Sequence, residues 1–210
     1  MMFTIPTAVL VSGGGTNLQA LIDRASEGKR PHVALKLVIS SNENAYALRR
    51  AENAGIPHAA IPRKGMTQEA FEEKLVSLLE ENGIRMIVLA GFMSILSADF
   101  IRRFENAILN VHPSLIPAFC GRGFYGLRVH EAALKRGVKV TGATVHLVNE
   151  IPDGGPILAQ KAVEVLPGDT PEILQQRVMR EAEWVLLPQC CENTAVRIIE
   201  SAADRSKKGM

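Results

Sequence analysis

Cysteine is scarce in this chain of 210 residues: there are three, two of them adjacent at Cys190 and Cys191. They cannot build a disulfide framework, and no Cys-x-x-Cys spacing is present to hold zinc. An excess of charge of one sign is also lacking. Lys and Arg number 24 against 22 Asp and Glu, a net +2, which gives no electrostatic case for a nucleic-acid or membrane-surface partner. Long apolar runs are missing too. Residues 86–90 are typical, far short of the ~20 needed to cross a bilayer. Residues 3–11 are too short and too weakly basic for a signal peptide. What is there is ordinary globular composition, 47% hydrophobic and 22% charged, in a length suited to one domain with a sizeable core. A cytoplasmic protein is expected.

Apolar runs alternate with helical patterns from the start. Residues 8–11 are a short continuous apolar run, as in a strand buried on both faces. The run ends in Ser12-Gly13-Gly14-Gly15-Thr16-Asn17, after which Leu18, Leu21, Ile22 and Ala25 form a helical stripe. Further strands are expected at 33–40, 58–61, 86–90 and 107–112, with helices at 45–54 and 68–82. The second of these helices carries Phe71, Leu75, Leu78 and Leu79 on one face and stops at Gly83. This alternation implies a parallel, doubly wound sheet with function at the carboxyl ends of its strands.

The second half differs. Residues 113–126 show no periodicity and read as a long loop, and 127–136 as a helix ended by Gly137. Residues 140–148 and 157–165 read as strands joined by the turn-rich segment 149–156. Thr170, Pro171 and Glu172 open a helix that carries Ile173, Leu174, Val178 and Trp184. The expected class is α/β: a Rossmann-like, phosphate-binding half over about 8–106 continues into a mixed sheet over about 107–200, in a single domain whose residues 203–210 fray.

Three segments can carry chemistry. The glycine-rich turn between the first strand and helix aims backbone N–H groups at one point, where the helix dipole favours an anion; Thr16 and Asn17 can add donors. It has no Gly-Lys-Ser/Thr, and Leu18 stands where a dinucleotide fingerprint needs its third glycine, so one phosphate fits better than a pyrophosphate. Its bland alternative is a tight turn with Thr16 as N-cap. Asn110 and His112, two apart on one strand, leave the same face at its carboxyl end. An amide can donate to a carbonyl oxygen gaining charge while an imidazole moves a proton, as acyl transfer to an amine requires; capping of the sheet edge is the alternative. Asp153, in a turn, gains meaning if its strand lies beside that of His112, where a carboxylate would orient the imidazole. His146 is either a support for that group or a core histidine, and a metal site from His112, His146 and Asp153 lacks ligand spacing. His32, His58 and His130 read as structural. Residues 91–96 (Gly-Phe-Met-Ser-Ile-Leu) could line a pocket for a flat heterocycle, or simply pack.

Taken together, these residues resemble a known family. Asn110-Val111-His112-Pro113-Ser114-Leu115-Ile116-Pro117 resembles the signature of the folate-dependent formyltransferases, and Gly142-Ala143-Thr144-Val145-His146 with Asp153-Gly154-Gly155-Pro156-Ile157 resembles its second signature. The opening run from Ser12 to Ala20 is similar to the branch that formylates glycinamide ribonucleotide with 10-formyltetrahydrofolate in purine biosynthesis. The resemblance implies that Gly15, Thr16 and Asn17 hold the substrate phosphate and Glu183 reaches the ribose. It implies that Met93, Ser94, Ile95, Leu96 and Val148 contact the folate, and that Asn110, His112 and Asp153 are catalytic, with His146 in support. It implies a monomer or homodimer without a metal. Ser94 stands where some members have Arg, and Leu147 and Pro152 also depart from the pattern. Rival readings are formyltetrahydrofolate hydrolase, which carries a further domain before the first strand, and a non-catalytic module that binds a phosphorylated metabolite.

Overall fold

The computed structural model describes residues 3–27 and 32–208. Its first half alternates β1 (Ile5–Val11), α1 (Thr16–Ser26), β2 (Val33–Ser40), α2 (Tyr46–Asn53), β3 (His58–Ala60), α3 (Gln68–Glu81), β4 (Met86–Leu89), α4 (Ala98–Arg103) and β5 (Ile108–His112). The second continues through α5 (Leu127–Arg136), β6 (Val140–Leu147), β7 (Ile157–Glu164), α6 (Pro171–Val178), a π-helical turn (Met179–Glu183) and α7 (Trp184–Lys208). The strands form one mixed sheet in the order β3-β2-β1-β4-β5-β6-β7. The first five are parallel, and β6 and β7 run antiparallel beside β5.

The apolar run of β1 follows from burial on both sides. Ile5, Val9 and Val11 pack with Leu18 of α1, Ala47 of α2 and Leu187 of α7, while Ala8 and Leu10 face Phe71 of α3 and Phe100 of α4. On α3 the expected stripe is present: Phe71, Leu75 and Leu79 are fully buried. Thr67 caps the helix by accepting the Ala70 N–H at 3.2 Å. A buried phenyl such as that of Phe71 typically stabilises a fold by ~3–5 kcal/mol, judged by truncation to Ala.

Three features depart from the sequence pattern. α4 was not legible because its six residues are too few to show a period; Ser97 caps it by accepting the Phe100 N–H at 3.2 Å. The helix expected to run through Trp184 is broken by the π turn, which the sequence marks with neither Gly nor Pro. α7 continues to Lys208, so residues 203–208, expected to fray, are helical; residues 209 and 210 lie outside the described residues. Cys190 and Cys191 are buried in the core. Among the described residues, no helix is long and apolar enough to cross a membrane.

Candidate active site

β5 and β6 build the centre. Ile108 packs on the α3–α4 side of the sheet, so Asn110 and His112 leave that same side at the strand's carboxyl end. Antiparallel pairing sets His146 opposite Asn110 and Thr144 opposite His112, and opposed residues share a face. The segment 149–156 then doubles back and delivers Asp153, whose backbone is left-handed at φ 56°. The reversal is tight. A Cβ on Gly155 would lie 1.8 Å from the Leu147 carbonyl oxygen, so only glycine fits there.

Asp153 ties the cluster together. Its Oδ1 accepts from Asn110 Nδ2 at 3.3 Å and stands 3.6 Å from His146 Nε2, while its Oδ2 lies 3.5 Å from His112 Nδ1 and accepts the Gly121 N–H at 2.8 Å. Burial pushes this carboxyl up, but the His146 hydrogen bond, the charge of His112 and the Gly121 N–H outweigh it and leave it below the usual carboxylate range. Asp153 is thus an anion at neutral pH. His146 Nδ1 lies 2.8 Å from the Leu147 carbonyl oxygen and its Nε2 lies 3.1 Å from Asn110 Nδ2. Asn110 Nδ2 thus lies within hydrogen-bond reach of both His146 Nε2 and Asp153 Oδ1.

His112 sits deeper, 4% exposed. Both its nitrogens face acceptors, Phe119 O at 2.8 Å and Asp153 Oδ2 at 3.5 Å. The loop 113–126 thus clamps the set through its backbone: Phe119 offers a carbonyl to His112, and Gly121 an N–H to Asp153. Phe119 and Gly121 both have positive φ, and no sequence pattern marked Phe119 for this role. Cys120 lies between them, its thiol raised by burial and then by the Asp153 charge. His130 on α5 is fully buried without a hydrogen-bond partner, and burial followed by the charge of His112 lowers it to about 4, so it is neutral. His32, read as structural, pairs with Glu192 at 2.5 Å.

A cavity of about 120 Å³ opens on this cluster, between Phe92, Ser94, Ile95 and Leu96 on one side and Val148 and residues 149–153 on the other; Asn110, His146 and Asp153 also line it. Of the catalytic and folate-contact residues expected from the sequence, Met93 and His112 do not line it. Met93 is 53% exposed and does not line the cavity, because its N–H is turned away to Ser12 Oγ at 2.9 Å. His112 lies behind Asp153, closed off by Phe119. A larger groove of about 710 Å³ at the opposite end of the sheet, beside Arg85 and Arg197, contains none of the expected residues.

The carbonyls of the glycine turn are all engaged within the fold. The carbonyls of Gly13, Gly14 and Gly15 accept from Ala47 N–H (3.1 Å), Arg50 Nε (2.8 Å) and Gln19 N–H (2.9 Å). In a trans peptide the following N–H points the opposite way, so those of Gly14, Gly15 and Thr16 face the other side. Gly15, not Thr16, occupies the N-cap of α1; it caps with no side chain, and the first turn holds no acid. Asn17 contributes less than expected from its side chain, since Nδ2 donates to Glu183 Oε2 at 2.5 Å. The π turn is what brings Glu183 inward.

Burial drives the Glu183 carboxyl up to about 7, and the Asn17 donor offsets only part of that rise. A carboxyl raised in the folded state stabilises fully below its unfolded value of 4.5 and loses that contribution as pH rises through about 7. Glu183→Gln keeps an oxygen for Asn17. It is expected to melt higher than the native chain at pH ~8, by up to about 3 kcal/mol in stability, and at nearly the same temperature near pH ~4.5. Melting temperatures across this range test the expectation; parallel curves would mean a solvated carboxyl.

The described residues contain no group of three His, Cys, Asp or Glu side chains that could hold a metal ion. A doubly wound sheet, parallel over its first five strands, that turns antiparallel beside an Asn-x-His strand, with Asp153 returned over it, defines the class. The chain belongs to the formyl transferase family, whose profile matches residues 6–190. It is 40% identical over 182 residues to phosphoribosylglycinamide formyltransferase of Haemophilus influenzae, covering 86% of this chain and 82% of that protein. The crystal structure of glycinamide ribonucleotide transformylase 1 from Symbiobacterium toebii is similar with a TM-score of 0.85 and 40% identity, over 91% of this chain and 88% of that one. The trifunctional purine biosynthetic protein adenosine-3 of Gallus gallus is 42% identical over 202 residues, 95% of this chain, which spans only 19% of that protein's length.

Proposed function

We propose that this chain transfers the formyl group of 10-formyltetrahydrofolate to the primary amine of glycinamide ribonucleotide, in the cytoplasm, as a monomer or homodimer. The observation that carries the reading is the convergence of Asn110, His146 and Asp153 on a small cavity whose other walls are largely apolar, with Phe92, Ile95, Leu96, Ile101 and Val148 among them. The pterin occupies that cavity against residues 92, 94–96 and 148, and the phosphate lies on the N–H groups of Gly14, Gly15 and Thr16. The halves of about 8–106 and 107–200 then bind the ribonucleotide and the folate across one sheet.

The amine attacks the formyl carbon directly. Asn110 Nδ2 gives up its longer bond, the one to Asp153, and donates to the oxygen as it gains charge. His112, released from Phe119, stabilises the intermediate as a cation and relays to the departing folate nitrogen the proton that the amine loses, so protons balance without net uptake. Asp153 holds the imidazole in place. Glu183 is positioned on the ribonucleotide side by Asn17.

Release of tetrahydrofolate is expected to require glycinamide ribonucleotide, with formylated product in equal amount. Absorbance of the released folate, with and without the ribonucleotide, checks this. Rapid release without it would make the chain a hydrolase, and no release in either case a binding module.

A further inference from the structure

We infer that Ser12 and Gln68 are positioning residues for the folate, acting through the backbone of residues 91–96; the inference rests on the formyl-transfer reading above. This segment joins β4 to α4 without regular structure; Phe92, stacked on Phe71, and buried Leu96 fix its ends, but between them Met93 and Ile95 are 53% and 59% exposed. Two side-chain hydrogen bonds from elsewhere in the fold hold it instead. Ser12 Oγ accepts the Met93 N–H at 2.9 Å, and Gln68 Nε2 donates to the Ile95 carbonyl at 2.9 Å.

Both anchors are themselves fixed. Ser12 follows β1, and its Oγ lies 2.6 Å from Ser41 Oγ at the end of β2. Gln68 opens α3, where its Oε1 accepts from Arg63 Nη2 at 2.9 Å and its Nε2 also donates to Glu72 Oε1 at 2.5 Å. The consequence is a choice of face. With the Met93 N–H and the Ile95 carbonyl turned to these anchors, the cavity is lined by Phe92, Ser94, Ile95 and Leu96, and Met93 is left outside it. Ser12 belongs by sequence to the glycine-rich run, yet its hydroxyl serves the opposite substrate.

Ser12→Ala and Gln68→Ala are each expected to raise KM for 10-formyltetrahydrofolate roughly 3- to 10-fold, the effect of one neutral hydrogen bond, with kcat and KM for glycinamide ribonucleotide within about 2-fold of wild type. Ser12→Thr keeps the hydroxyl and is expected to restore the folate KM. Calorimetry with 5-formyltetrahydrofolate, whose formyl group is on a different nitrogen, gives the binding change directly, and melting curves verify folding. Should Ser12→Ala fail to fold, Gln68→Ala carries the same test. An unchanged folate KM in the folded variants, or a rise confined to the ribonucleotide KM, overturns the positioning role alone. A wild-type chain that neither binds 5-formyltetrahydrofolate nor forms product overturns the formyl-transfer reading, and this inference with it.

Discussion

His112→Ala is expected to lower kcat by ~10²–10⁴ and Asn110→Ala by ~10²–10³, while both substrates still bind. The two losses have different origins. Asn110 presents its amide to the cavity with Nδ2 held beside His146 Nε2 and Asp153 Oδ1, so it needs little reorganisation when charge develops on the formyl oxygen. His112 supplies charge from behind Asp153. Its removal leaves the carboxylate with His146, Asn110 and the Gly121 N–H as partners, which keeps the cluster folded but without its proton carrier. Because both side chains contact Asp153, the double variant should lose less than the product of the single losses. Single-turnover kinetics with calorimetric dissociation constants would measure this, with circular dichroism as the check on folding. Near-normal turnover in either single variant would remove that residue from the chemistry.

The second large effect is expected at the phosphate turn. Gly15 has φ 72°, and a Cβ there would meet Ala47 Cβ at 2.6 Å and Ala47 Cα at 2.9 Å, so the obstruction is backbone and first carbon of α2 rather than a flexible tip. Gly15→Val must therefore push the turn off α2 and misdirect the N–H groups that face the phosphate. Charge-assisted hydrogen bonds contribute ~1.5–3 kcal/mol each, so the loss of two should weaken glycinamide ribonucleotide by at least about 100-fold. Binding of 5-formyltetrahydrofolate, whose cavity is formed by other segments, should be nearly unchanged. Calorimetric titration of the two ligands separates the outcomes: equal weakening of both would point to a folding defect, and no weakening of the ribonucleotide to a phosphate bound elsewhere.

Much of this architecture was legible because it is written in local chemistry. β2 and α5 have the bounds their patterns predicted, since β-branched runs and a glycine stop are local signals. The placing of β6 beside β5, the condition on which the sequence reading of Asp153 depended, is observed, and with it the approach of Asp153 to His112. What escaped was set by tertiary contact. Nothing in Phe119 announces that its carbonyl will hold a histidine, since any residue has that carbonyl and only the loop's path aims it. The π turn adds its offset without a marker residue, and so the Glu183–Asn17 bond could not be read from spacing. Which residues of the run 91–96 face the cavity escaped for a similar reason: the choice of face depends on Ser12, some eighty residues away.

The two borders of the sheet have a consequence for how the protein behaves when concentrated. An open border strand is a template on which another chain can extend the sheet, the first step towards aggregation. Here one border, β3, offers only three residues, too short a ladder to recruit a partner. The other, β7, is longer, but it displays Lys161 and Glu164 to solvent, and Gln160 reaches over to the Ile116 carbonyl at 2.9 Å. Charge and a bound loop thus blunt the side that length leaves vulnerable, and neither margin of the sheet invites stacking of one copy onto the next.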